Sequence, residues 1–328
     1  MNATTMHPSV DAKPDRSELI GQLREGASQY MLYAAALAMV VAFSFASPVF
    51  FSSANFLNIG RQTALVTIVA VGMTLVIICG QIDISVASNI ALSGMMAALA
   101  MQHVGNAWFV GALAGVLAGM TVGLVNGVLV AKWLIPSFLV TLGMLGIARG
   151  TALLLTDTKP VLIDNPSYYA IFGEGYIAGI PVPIAWTILA LLLGGLLLHA
   201  TPFGRRVYAT GGNPTAARYS GINTARTTII AFVITGALAG LASLILTARF
   251  HAARADVVQG LELDVIAAVI LGGCSLFGGR GLVVGTLIGS LIIGILNNGL
   301  VLLGVSSAAQ LVIKGVIIIV AVGVSSKR

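Results

Sequence analysis

Long apolar runs, each closed by a short polar or glycine-rich break, succeed one another along this chain. The first covers 30–50, with Pro48 marking its end. The next, 62–102, is about twice the 20 or so residues that one bilayer crossing needs, and Gly80-Gln81-Ile82-Asp83 divides it into spans near 62–80 and 84–101. Further spans are predicted at 107–130, 136–155, 181–199, 227–248, 262–277, 282–303 and 309–324. The pattern therefore predicts an all-α polytopic membrane protein of about ten transmembrane helices, one transmembrane domain over 30–328. The polar stretches between the spans are uneven in length. Residues 156–180 and 249–259 read as external segments, the former with a half-buried helix around 168–172. Residues 201–226 form the longest polar interruption after the N-terminal tail. The tail itself, 1–29, is mixed in charge and lacks the short apolar core and small-residue cleavage site of a signal peptide, so it reads as cytoplasmic.

Composition agrees with the pattern. Charged residues make up 9% and apolar residues 58%, with 39 glycines, and mean hydropathy is +1.00. A soluble domain carries about 25% charge. The net charge of +6 raises nucleic acid as a partner. The cations cluster at span ends on alternate sides, however, without a basic face interleaved with aromatics, so the expected partner is the lipid bilayer and not nucleic acid. Cys79 and Cys274 both lie in apolar runs, which points to structural burial.

Alternating ten spans from an inside N-terminus places Lys13, Arg16, Arg24, Lys132, Arg205, Arg206, Arg218, Arg226, Arg280, Lys327 and Arg328 on one side. Arg61, Arg149, Lys159, Arg249 and Arg254 fall on the other, and Lys314 lies within a span. Cytoplasmic loops carry the excess of Lys and Arg, so both termini and 201–226 are assigned to the cytoplasm of an inner (plasma) membrane protein. An internal repeat fits the even count. Asn126-Gly127-Val128-Leu129-Val130 and Leu139-Val140-Thr141-Leu142-Gly143 return, without a gap, as Asn298-Gly299-Leu300-Val301-Leu302 and Leu311-Val312-Ile313-Lys314-Gly315. A shift of five spans reverses direction across the membrane, giving two inverted-topology halves; chance likeness among Gly/Leu/Val-rich helices is the alternative.

Several stretches carry a family likeness. G-G-N-P-T-A-A-R-Y-S-G-I-N (211–223), E-L-D-V-I-A-A-V-I-L-G-G-C-S-L-F-G-G-R-G (262–281), G-T-L-I-G (285–289) and I-L-N-N-G-L-V-L-L-G-V (295–305) resemble the ribose-type sugar ABC importer permeases. G-Q-I-D-I-S-V-A-S (80–88) is similar to them less closely. The resemblance runs over most of 60–325 in the family's order. The sequence departs from it near Gln81 and Ala87, where glycines are common, and near Cys274, where a threonine is. The resemblance implies a permease that pairs with a second permease copy, identical or not. Two cytoplasmic ATPase subunits drive the pair, and a periplasmic sugar-binding protein supplies substrate.

The residues fit that implication. No G-x-x-x-x-G-K-[ST] occurs, so no P-loop cradles nucleotide here; no cofactor is expected on this chain, and ATP is used by partner subunits. Ion-coupled carriers place carboxylates or histidines inside spans, whereas here the acids sit in the tail, at helix ends or in external loops. Lys314, the exception within a span, reads as snorkelling or capping near the outer end. The function expected is inward movement of a monosaccharide or small polyol by an ABC importer. A branched-chain amino acid ABC permease of the same superfamily and an ion-coupled secondary carrier are the alternatives. No catalytic residue or metal site is expected, since the spans hold no carboxylate pair or histidine cluster.

Candidate site residues fall into two groups. Asp83, Glu262 and Asp264 precede or open apolar helices, where helix capping and dipole stabilisation is one reading. A gate or path role is the other, with Asp83 inside and Glu262 and Asp264 at the outer mouth. Asn126, Asn297 and Asn298 are amides on glycine-rich helices, suited to interhelical hydrogen bonds or to the hydroxyls of a sugar. Gly236 and Gly240, like Gly285 and Gly289, have the spacing of close helix packing. Within 201–226, Asn213 is a cap and Pro214 a first helical residue, and Gly221 after Ser220 is a stop. The resulting short helix, with Ala216, Ala217 and Arg218, is expected to dock in a groove of the ATPase as a coupling helix; a solvated basic loop is the plainer reading.

Overall fold

The structure, a computed structural model, describes residues 33–34 and 36–326. The tail expected over 1–29 and the terminal Lys327 and Arg328 lie outside the described residues. Helices account for nearly all of the regular structure. They are α1 (Ala36–Ala46), α2 (Ser53–Ile78), α3 (Val86–His103), α4 (Trp108–Ala131), α5 (Ser137–Leu154), α6 (Pro166–Tyr168), α7 (Val182–Ala200), α8 (Pro202–Gly212), α9 (Pro214–Tyr219), α10 (Thr224–Phe250), α11 (Leu261–Leu271), α12 (Val283–Leu302) and α13 (Ser307–Ser326). Six of these, α2, α4, α5, α7, α10 and α12, are long and apolar enough to cross a membrane. The chain is thus an all-α, multi-pass membrane protein.

Three boundaries differ from the hydropathy pattern, each for a local reason. α2 begins at Ser53 rather than near 62, because the Ser52 hydroxyl accepts from the Asn55 amide and starts the helix in a polar stretch. α11 stops at Leu271 rather than near 277, where Gly272 is followed by Gly273 in the left-handed region (φ 87°). The 201–226 interruption holds two helices where one was expected. The added one, α8, is capped by Thr201 and has Pro202 at its first position.

α2 and α10 form the centre. The most apolar stretch of α2 is 89% buried, so it is apolar on all sides because every side meets protein. α10 meets α4 along a glycine seam. A Cβ on Gly119 would lie 2.2 Å from the Gly236 carbonyl, and one on Gly240 2.7 Å from the Val116 Cα. Two backbones in that contact leave no room for a side chain. The pair Gly285 and Gly289 does the same for α12 against α11, where a Cβ would approach the Gly272 and Ala268 carbonyls to 2.0 and 1.9 Å.

The packing partners follow a rule. α3 packs on α4 and α5, as α11 packs on α12 and α13; α10 packs on α3 and α4, as α2 packs on α11 and α12. Exchanging α2–α5 with α10–α13 carries this set of contacts onto itself. One end of the bundle bears α8 and α9. The opposite end is covered by 155–181, where α6 runs into a π-helical turn, Tyr169–Gly173, matching the half-buried helix expected there. A short antiparallel pair, Val161–Leu162 with Ala252–Ala253, ties this cover to the end of α10, and Tyr176–Ile177 with Ile180–Pro181 forms a hairpin within it.

Candidate functional site

At the end that carries α8 and α9, Asn213 closes one helix and opens the next. Its Oδ1 accepts from the Ala216 amide at 2.9 Å, and Pro214 occupies the first position of α9. Gly221 has φ 81°, a left-handed turn that costs a side-chain-bearing residue free energy. Asn213, Pro214, Ala216, Arg218, Ser220 and Gly221 are exposed. Ala217 is 5% exposed and faces the bundle, so it is not on the exposed side of α9, where the sequence reading puts it. Arg218 is engaged as well, its Nε donating to the Thr224 hydroxyl at 3.0 Å. Tyr219, 90% exposed, was missed from the sequence. It stands three residues after Ala216, which puts both on one helical face, and that spacing was the available signal.

α8 joins this surface to the interior. A Cβ on Gly211 would lie 1.6 Å from the Ile78 carbonyl, at the end of α2, and 2.7 Å from the Gly279 nitrogen. The Gly279 amide donates to that same Ile78 carbonyl at 2.9 Å, and the Tyr208 hydroxyl of α8 donates to the Gly281 carbonyl at 2.6 Å. Burial pushes the Tyr208 phenol up, with the buried Cys274 beside it adding to the effect, so it stays a protonated donor. α8 therefore sits in backbone contact with the α2–α3 break and the α11–α12 break at once.

Two polar junctions interrupt the apolar interior. Near the α8 end, Asp83 is 1% exposed, and its Oδ1 accepts from the Ser85 amide at 2.9 Å and the Ser85 hydroxyl at 2.6 Å. Ser85 in turn accepts from the Asn126 amide at 2.9 Å. Asn126 is fully buried and its Oδ1 finds no donor among the described residues. Asp83 thus bonds the turn that leads into α3, within a buried junction that includes Asn126.

At the opposite end, Asp264 on α11 is 5% exposed. Its Oδ2 accepts from Lys314 Nζ of α13 at 2.9 Å and from Asn297 Nδ2 of α12 at 3.2 Å. Asp264 Oδ1 and Asn297 Oδ1 are buried without a donor among the described residues. Lys314, expected to snorkel or cap, is instead in a partly buried ion pair. Glu262 is set apart from this junction, on the side of Arg149, its Oε2 also without a partner among the described residues. Arg149 donates to the Ala255 and Val257 carbonyls. Asn298 joins neither junction. It exchanges two 3.0 Å hydrogen bonds with Asn55 and so staples α12 to the start of α2. On the exposed loop beyond, the Arg254 guanidinium bonded to Asp256 holds that carboxyl below the usual range.

Apolar helices long enough to cross a membrane, carboxylates that among the described residues lie in first helical turns, breaks and loops, and a polar helix pair at one end are the features of a membrane permease. The chain belongs to the family described as the permease component of the branched-chain amino acid transport system, whose model matches residues 55–322. Among its relatives, the ribose import permease of Bacillus subtilis (strain 168) is 45% identical over 291 residues, 88% of this chain and 90% of that protein. The ribose import permease of Escherichia coli (strain K12) is 44% identical over 297 residues, 90% and 92% of the two chains. The L-arabinose transport system permease of Escherichia coli (strain K12) is 37% identical over 294 residues, 90% and 89%. No solved structure matches the chain.

Proposed function

We propose that this chain is the transmembrane subunit of an ABC importer that carries a monosaccharide or related small polyol inward, powered by separate ATPase subunits. The observation that carries the reading is its likeness, along nearly the whole chain, to permeases named for ribose and for arabinose. The backbone contact of α8 with two helix breaks supports the coupling half of it.

In this reading the chain crosses the inner (plasma) membrane ten times in two inverted halves, with both termini in the cytoplasm. The self-mapping of the helix contacts supports the halves, and the excess of Lys and Arg around 201–226 supports the orientation. Two copies, or this chain and a second permease, pair in the bilayer, and a periplasmic sugar-binding protein delivers substrate. The chain uses no cofactor of its own and performs no covalent chemistry. Asn213–Gly221 docks in the ATPase, with Tyr219 as its anchor. Closure of the ATPases on ATP moves α9, α8 carries the motion to the breaks at 79–85 and 272–282, and the bundle shifts between outward and inward populations. Asp83 and Asn126 lie at the inner end of the path, and Glu262, Asp264 and Asn297 towards the outer end. Asn298 serves as an interhelical joint.

Uptake by cells expressing the permease, ATPase and binding protein tests this. Ribose and arabinose are expected to enter; leucine is not. Omitting the ATPase abolishes entry, and a protonophore does not do so while ATP is maintained. Leucine uptake would favour the amino acid permease, and sugar uptake without the ATPase would favour the ion-coupled carrier.

A further inference from the structure

The two buried junctions are counterparts under the exchange that maps the helix contacts onto themselves. Each has an aspartate beside the first turn of a helix that follows a break: Asp83 three residues before α3, Asp264 three residues into α11. Each has an asparagine five residues before the last residue of the next helix, Asn126 on α4 and Asn297 on α12. In both, the asparagine carbonyl is buried and unpaired among the described residues. The repeat in the sequence aligns Asn126 with Asn298, yet the helix ends align it with Asn297, and it is Asn297 that meets the carboxylate.

The outer junction differs in having a cation. Lys314 Nζ and Asp264 Oδ2 are 2.9 Å apart, with the two side chains 16% and 7% exposed. Such a pair contributes little to stability, because desolvating two charges offsets their attraction and well-packed apolar residues do as well or better. Leaving Asp264 Oδ1 and Asn297 Oδ1 without donors makes it poorer still. Charges inside a membrane domain mark solute or ion pathways more often than scaffolding.

We propose that Asp264, Asn297 and Lys314 form a subsite for adjacent hydroxyls of a sugar in transit; this rests on the monosaccharide-importer reading. A hydroxyl is donor and acceptor at once. One hydroxyl donates to Asp264 Oδ1 while accepting from Lys314, and its neighbour donates to Asn297 Oδ1. The three groups come from α11, α12 and α13, so the subsite opens when α13 moves off α11 and closes again as the ion pair. With Lys314 present the site is neutral, which suits a neutral polyol rather than an ion.

The test is the maximal uptake rate of ribose and of 2-deoxyribose, which lacks one hydroxyl, in cells carrying the complete importer. The variants are Asn297→Leu and the charge-neutral, near-isosteric pair Asp264→Asn with Lys314→Met. Asn297→Ser, the mildest change, stands in for any variant that fails to reach the membrane, and co-purification with the ATPase is the check on assembly. The expected result is a fall of about tenfold in ribose uptake rate and a change in the ribose to 2-deoxyribose ratio, since a site built on hydrogen bonds discriminates by hydroxyls. A purely structural role lowers both sugars alike. An assembled variant with the wild-type ratio, or a charge-neutral pair with the wild-type rate, overturns the subsite. Failure of the wild-type complex to import any pentose refutes instead the importer reading on which it stands.

Discussion

Gly211→Ala tests whether α8 is in rigid contact with the helix breaks. The added Cβ would fall 1.6 Å from the Ile78 carbonyl oxygen, 2.8 Å from its carbon and 2.7 Å from the Gly279 nitrogen. All three are backbone atoms, so no side chain can turn aside. Relieving the contact requires a shift of roughly 1.5 Å, enough to lose the 2.9 Å bond from the Gly279 amide to Ile78. Overpacking of this kind costs about 1–3 kcal/mol, and the hydrogen bond adds about 1 kcal/mol. The better helix propensity of alanine returns at most about 1 kcal/mol, leaving a net loss of roughly 1–3 kcal/mol. Gly212→Ala is the control, because nothing lies within 4 Å of its Cβ position. Thermal unfolding of the purified permease, followed by tryptophan fluorescence, is expected to fall by several degrees for Gly211→Ala and to stay put for Gly212→Ala. ATP-driven uptake in vesicles is expected to drop for the first alone. Equal behaviour of the two variants would refute the contact, and with it the route by which α9 reaches the breaks.

Tyr219→Ala should leave insertion intact and weaken association with the ATPase by tenfold or more, the effect of losing an aromatic anchor worth about 2 kcal/mol; co-purification at graded detergent and salt reads it. Asn298→Leu strands the Asn55 carbonyl oxygen while its amide keeps the Phe50 carbonyl and should cost about 1–3 kcal/mol, while adding Asn55→Leu should recover part of that loss, a double-mutant comparison that thermal unfolding can read. Cys79 and Cys274, 3% and 1% exposed, should resist maleimide in intact vesicles and react once the protein is denatured.

Much of this molecule follows from sequence alone, where the deciding physics is local. Run length against bilayer thickness gave an all-α membrane protein. Asn213, Pro214 and Gly221 set the bounds of α9, because caps and stops act within one turn. Paired glycines marked the seams of α10 on α4 and α12 on α11. The tertiary structure decided whatever depends on which helices are neighbours. Lys314 looked like a snorkelling lysine until α13 came to rest on α11 beside Asp264, fifty positions earlier. Ala217 looked like a docking residue until its helix was seated with that face inward. α2 carries no amphipathic stripe to say which face points where, since every residue from Thr63 to Ile78 is buried. Apolar periodicity orients a helix that meets water on one side; inside a membrane bundle that contrast vanishes, and the pairing of helices distant in sequence sets the polar junctions.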